Sequence, residues 1–237
     1  MIASTFQPVS IGFASIRPKF DNIDLKVRFN EKYLFLDKLA AKKGVGEVSA
    51  QGKLTLDSKL PDLNSINIQL NHASVSFPVK LLKSIDAIVS GNLTLTGNKK
   101  PYMIVGKVDV VKARSYRNFD IQEEIINLIA EKNFSLQTLQ SQASINFDID
   151  INADRSIRIA NKTIQSLISA NLHLYGSDVK PLLSGQVEIH RGKFYYKRDF
   201  VLSPSYVTFD DPTQINPSLD ISSIADTGSY RVYLDVG

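Results

Sequence analysis

Ile145-Asn146-Phe147-Asp148-Ile149-Asp150-Ile151 alternates strictly, with four large apolar side chains separated by Asn146, Asp148 and Asp150. Successive side chains of an extended chain point to opposite sides, so this stretch has one apolar and one polar face and reads as a half-buried strand. The same period runs through Leu54-Thr55-Leu56, Ile66 to Leu70, Val75-Ser76-Phe77, Leu93-Thr94-Leu95, Leu172-His173-Leu174, Val187-Glu188-Ile189, Leu219-Asp220-Ile221 and Tyr230 to Val236. Turn formers fall between these segments: 59–62 with Pro61, Gly97 to Pro101, Gly176 to Pro181, Gly192, and Asp210-Asp211-Pro212. The reading is an all-β fold, antiparallel or meandering, with water on one side of each strand and something apolar on the other. Counting segments predicts roughly 14 to 18 strands, which would extend about 65–85 Å if stacked in one sheet.

Two stretches break the period. From Asp120 to Phe134, Ile121, Ile125, Leu128 and Ile129 recur at helical spacing, Asp120 can cap the N-terminus and Glu123 completes a capping box. One short amphipathic helix is predicted over 120–134, as an insertion that plugs or caps the sheet. A weaker helical turn is predicted from Val79 to Ile85, with Pro78 at its start.

The composition fits a globular chain. Of 237 residues, 22% are charged and 43% are hydrophobic, which excludes wholesale disorder. The longest apolar runs, Tyr33 to Leu36 and Tyr102 to Val105, are four residues, far below the roughly 18 that a spanning helix needs. A net charge of +4 spread over the chain is a solubility feature rather than a binding footprint. No cysteine is present, so disulfides, thiolate nucleophiles and cysteine-ligated metals are excluded together.

An internal repeat organises the chain. Ser90-Gly91-Asn92-Leu93-Thr94-Leu95-Thr96-Gly97, then Pro101 and Gly106 to Val110, recurs as Ser169-Ala170-Asn171-Leu172-His173-Leu174-Tyr175-Gly176, then Pro181 and Gly185 to Ile189. Leu93 maps to Leu172, Gly97 to Gly176 and Gly106 to Gly185 at one constant offset. A looser copy at Gly52 to Leu56 precedes the first by half that offset. The underlying unit of roughly 40 residues implies an elongated stack of hairpins.

The order Gly185-x-Val187-x-Ile189, Arg191-Gly192-Lys193-Phe194-Tyr195, Phe200, Val207-Thr208-Phe209, Asn216-Pro217-x-Leu219-Asp220-Ile221 and Tyr230-Arg231-Val232-x-Leu234-x-Val236-Gly237 resembles the C-terminal region of the TamB family. These are translocation and assembly module inner-membrane subunits, related to AsmA-like bridge proteins. The resemblance is clearest over Ser169 to Gly237. It implies an elongated, curled antiparallel or mixed sheet, β-taco-like, whose apolar faces line a trough. It also implies a periplasmic protein that passes phospholipid between membranes or assists outer-membrane protein assembly and secretion with a TamA-type barrel. Family members carry an N-terminal helix anchored in the inner membrane and a segment past the final glycine, so residues 1–237 read as a single β domain from a longer protein, with membrane contact made elsewhere.

Joined to the alternation, that resemblance gives a groove lined by Leu54, Leu56, Ile68, Leu93, Leu95, Val108, Phe147, Ile149, Leu172, Leu174, Val187, Ile189, Phe209, Ile221, Val232 and Leu234. The guest would be phospholipid or a nascent amphipathic outer-membrane strand. The competing reading is a structural or adhesive all-β solenoid whose apolar face is an ordinary closed core.

Catalytic patterns are sparse. His72, His173 and His190 lack metal-ligand spacing, no Gly-x-Ser-x-Gly occurs, and Gly44 to Ser49 lacks the third glycine of a dinucleotide fingerprint. No metal, cofactor or enzymatic activity is predicted. Asp148, Asp150 and Asp154 form a glycosidase-like carboxylate set without an aromatic sugar platform, and read as a solvated face. Asp210-Asp211 reads as a turn rather than a calcium site. The run His190 to Arg198 lacks the second aromatic motif of an RNA-binding sheet, so no nucleic acid is predicted; Lys193, Lys197 and Arg198 fit a membrane surface better.

Overall fold

The computed structural model describes residues 22–43, 45–56, 62–76, 85–115, 142–196, 198–226 and 228–236, and every regular element among them is a strand. The strands are β1 (Asn22–Phe29), β2 (Tyr33–Lys43), β3 (Gly46–Thr55), β4 (Asp62–Ser76), β5 (Ile85–Gly97), β6 (Tyr102–Ser115), β7 (Ile145–Ala160), β8 (Ile164–Ser177), β9 (Pro181–Tyr196), β10 (Arg198–Leu202), β11 (Ser205–Phe209), β12 (Ser218–Asp226) and β13 (Arg231–Val236). They form one curled, mixed sheet. Each strand pairs with the next from β1 to β9; β10 and β11 then share the edge of β9, β12 pairs with both, and β13 pairs with β12.

All pairings are antiparallel except β6 with β7, where Tyr102 faces Ile145 and Ser115 faces Ile159 in parallel. Parallel neighbours need a connection of about a dozen residues or more, and residues 116–144 supply that length. The helix expected over 120–134 lies outside the described residues, as do residues 78–84 of the weaker turn; Ile85 opens β5.

The thirteen strands among the described residues are fewer than expected, because β4, β6, β7, β8 and β9 run for 14 to 16 residues each. Positions read as turns are absorbed into them. Gly192 lies inside β9, Gly176 near the end of β8, and Pro181 begins β9.

The long strands persist because bulges let them turn without breaking. The β4–β5 register slips between Leu70 and Ala73, and the β7–β8 register slips between Ala153 and Ile157. At each slip a non-glycine residue takes a left-handed conformation, His72 at φ 49° and Arg155 at φ 47°. Each also donates its backbone N–H to a serine hydroxyl on the next strand, His72 to Ser90 at 3.1 Å and Arg155 to Ser169 at 2.8 Å. Ser90 and Ser169 are equivalent positions of the sequence repeat. The repeat therefore carries a structural device: a bulge residue whose N–H, lost to the ladder, is satisfied by a side chain.

A second device joins β10 to β11. Pro204, which cannot donate a ladder bond, interrupts what would be one strand. Ser205 is fully buried there, donates to the Ser203 carbonyl at 2.9 Å and accepts the Ser222 N–H at 3.2 Å.

Inward glycines permit the curl. Gly106 (φ 150°) and Gly185 (φ 112°) occupy equivalent repeat positions. A Cβ on either would strike the carbonyl oxygen of Asn92 or Asn171 and come within 3.0 Å of the Cα of Leu93 or Leu172. Neighbouring backbones approach so closely on this side that only glycine fits.

Candidate functional site on the apolar face of the sheet

Register carries the apolar phase of each strand to the next. One row runs Ile23, Ala41, Val48, Leu70, Gly91, Val108, Ile151, Leu172, Gly185 and Phe209. The adjacent row runs Leu25, Leu39, Ala50, Ile68, Leu93, Gly106, Ile149, Leu174 and Leu183. A third row contains Leu36, Gly52, Ile66, Leu95, Ile104 and Phe147.

Every residue of the expected lining set within a strand falls on this one face, including Val187, Ile189, Ile221, Val232 and Leu234; Leu56 lies just past β3. Leu70, Ile104, Ile151, Leu183 and Val207 share the face without belonging to that set. Alternation alone could have found them, since each stands an even number of positions from a member of the set on its own strand.

Burial along the face is uneven. Among the described residues, eight of the fifteen buried apolar side chains are alanines, so complete burial falls mostly on small groups. Ala73, Ala87, Val89 and Ala113 form one tight cluster, and Ile168, Ile189 and Leu202 another, both toward one end of the strands. Toward the other end Ile68, Leu93, Leu95, Phe147, Leu172 and Leu174 are half-buried and Leu56 is exposed, as is Leu234 on β13. Ile149 and Ile189 are buried, at 8% and 9% exposure. Among the described residues, substantial contacts between elements join only hydrogen-bonded neighbours, so no second described layer covers the face. Each such leucine or isoleucine keeps roughly a tenth to a third of its surface in water, so most of the roughly 1.5–3 kcal/mol of full burial is gained within the sheet and the exposed remainder is available to a guest.

The opposite face is polar and ion-paired. One row reads Asp24, Ala40, Ser49, Gln69, Asn92, Lys107, Asp150, His173 and Ser184. His173 stands between two carboxylates, with Nδ1 3.0 Å from Asp150 and Nε2 3.4 Å from Asp148, and stacks on Tyr175 at 5.7 Å. Lys107 reaches Asp150 at 3.7 Å. Asp148 and Asp150 thus contact His173, and Asp150 also Lys107, on an open face, whereas Asp154 is exposed. Arg28 and Asp37 form a two-pronged pair at 2.5 and 2.7 Å; these hydrogen bonds hold the Asp37 carboxyl below the usual carboxylate range. Asp211 accepts Thr213 N–H and Oγ1–H at 2.8 and 2.7 Å and Gln214 Nε2–H at 3.0 Å, bonds that likewise lower its pKa and fold a turn.

Among the described residues no group of three or more potential metal ligands is gathered, and no helix is long and apolar enough to cross a membrane. What the arrangement offers chemically is a continuous apolar surface backed by a solvated one. No curated protein sequence matches the chain. A family model described as the TamB C-terminal domain matches residues 37–237, which includes nearly all of the sheet. The chain belongs to the TamB family.

Proposed function

We propose that this TamB-family envelope protein uses the apolar face as a groove in which phospholipid acyl chains travel between the inner and outer membranes. The observation that carries the reading is the apolar register running from β1 to β9 and β11, with large side chains left partly exposed and no described element over them. The sixteen lining residues are the contacts proposed for the guest.

The mechanism is passive. Each strand from β4 to β9 contributes two or more large apolar side chains to the face, worth roughly 25 cal/mol per Å² removed from water, so an acyl chain regains apolar contact at each strand it passes. The same face would also suit a nascent amphipathic outer-membrane strand handed to a TamA-type barrel. The family places the protein in the envelope; the periplasmic position, the inner-membrane anchor and the absence of enzymatic activity belong to this proposal. A closed-core adhesive solenoid is disfavoured by the partly exposed leucines with no described layer over them.

Protein extracted without detergent exchange is expected to carry phospholipid, detectable by mass spectrometry, and to lose it on delipidation while staying folded. Native preparations with no bound lipid would remove acyl chains as the guest.

A further inference from the structure

On the polar face, near the Ser115, Ala160 and Tyr196 ends of β6, β7 and β9, the register assembles a row that the chain does not show as a motif. Asp86, Arg114, Arg158, Leu167 and Arg191 are successive partners across β5 to β9. Asp86 on β5 is the one acid of the row, and Lys112 and Lys193 stand two positions from Arg114 and Arg191 on β6 and β9. Like charges placed opposite each other in a ladder are destabilising, so Arg158, set between Arg114 and Leu167, gains nothing from its neighbours in the row.

Several other cations of the same face are compensated: Lys38 has Asp24, Lys107 has Asp150 and Arg28 has Asp37. Among the described residues no carboxylate lies within ion-pair distance of Arg158, Arg191 or Lys193, and all three are exposed. Of the nearby acids, Asp199 faces Tyr195 in register and Asp235 stands two positions from Tyr233, both exposed and without ion-pair contact to Arg158, Arg191 or Lys193; Asp154 is exposed beside the β7 bulge, and Arg231 partners Asp226 at 3.5 Å.

The adjoining row supplies the second observation. Gln165, Lys193, Val201, Ile224 and Tyr233 are successive partners across β8, β9, β10, β12 and β13. Here three large side chains of this face are strongly exposed: Val201 is 56% exposed, Tyr233 63%, and Tyr195, two positions beyond Lys193, 55%. From Arg158 to Tyr233 the patch crosses β7, β8, β9, β10, β12 and β13, about 24 Å. Exposed tyrosine and valine beside uncompensated Arg158, Arg191 and Lys193 form the chemistry of a membrane–water interface, where rings and aliphatic groups enter the headgroup layer and cations meet lipid phosphate. A soluble polyanion would satisfy the arginines but not the exposed apolar side chains.

We propose that this outer-face patch seats the sheet against an anionic phospholipid surface, through Arg158, Arg191 and Lys193 to headgroup phosphates and Tyr195, Val201 and Tyr233 to the interface. It is a contact distinct from the groove and on the opposite face, and it does not depend on what the groove carries.

The test is co-flotation of the whole chain with vesicles of phosphatidylglycerol and phosphatidylcholine, against pure phosphatidylcholine vesicles. Binding is expected only to the anionic vesicles and to weaken with salt. The double change Arg158→Glu and Arg191→Glu should lower it about tenfold or more, whereas Lys38→Glu with Lys107→Glu, the same change in net charge on the compensated region, should leave it near wild type. Tyr233→Ala with Val201→Ser should weaken the salt-resistant part. Circular dichroism checks the fold; if the arginine variant unfolds, Arg158→Gln with Arg191→Gln is read in its place. Equal loss in both charge pairs, unchanged salt-resistant binding in the tyrosine variant, or binding to a heparin column without vesicle binding would overturn the proposal.

Discussion

Leu174→Asp and Val232→Asp are expected to leave the chain folded and to abolish the envelope function of the full-length protein. Leu174 is half-buried between Ile149 and Leu183 on the apolar face. A carboxylate there stays in reach of water when no guest is present, so the cost is mainly the lost partial burial, about 1–2.5 kcal/mol. An acyl chain passing that point would lie against an unpaired charge, a barrier that interrupts the whole path. Val232, paired with Ala225 on the same face, makes the same test at the β13 end. The contrast is Ile168→Asp. Ile168 is 7% exposed within the cluster with Ile189 and Leu202, where the same charge should cost about 4 kcal/mol or more and unfold the chain. Gln69→Asp is the silent control on the polar face, exposed between Ser49 and Asn92 and so free of a like-charged partner in its row. Unfolding by Leu174→Asp as readily as by Ile168→Asp would return the face to a closed core.

The second large effect is Gly106→Ala or Gly185→Ala. Each forces a side chain onto a positive φ and sets a Cβ against a neighbouring carbonyl oxygen that belongs to backbone and cannot step aside. Strain and overpacking of this kind sum to roughly 3–5 kcal/mol, a large share of the stability of an ordinary domain. Gly228→Ala separates the two terms: at φ 83° it bears the strain, but nothing lies within 4 Å of its added Cβ, so about 1 kcal/mol is expected. Chemical denaturation of the three variants reads both. A Gly106 variant no less stable than the Gly228 variant would show that close packing of the inner backbone does not hold the curl.

The strand period and the choice of face were legible because they are local: the single stretch Ile145 to Ile151 states both. The internal repeat was legible for a similar reason, since turn and close-approach glycines keep their order, and Gly106 and Gly185 prove to be the same structural position. Phase slips were not. A bulge at His72 or Arg155 places an ordinary side chain at positive φ, and its only trace is a serine hydroxyl on another strand. Gly192 and Pro181 look like turn residues but lie within β9, where bulging and twist supply the bending that turns would have supplied. The parallel junction of β6 and β7 depends on a long connection whose direction no strand pattern encodes. The outer-face arginines were hidden for the same reason. Arg114, Arg158 and Arg191 lie far apart along the chain, and only register makes them neighbours, whereas Lys193, Lys197 and Arg198 stand out through adjacency.

The central claim is that lipid lies on one face of this sheet, and a photoreactive diazirine amino acid placed at single positions of the full-length protein in living cells tests it most directly. Replacement of Leu93 or Leu174 should give adducts with the mass of a phospholipid after illumination, and replacement of Gln69 should give none. Equal labelling of the two faces, or bare protein at Leu93 and Leu174, would contradict the account.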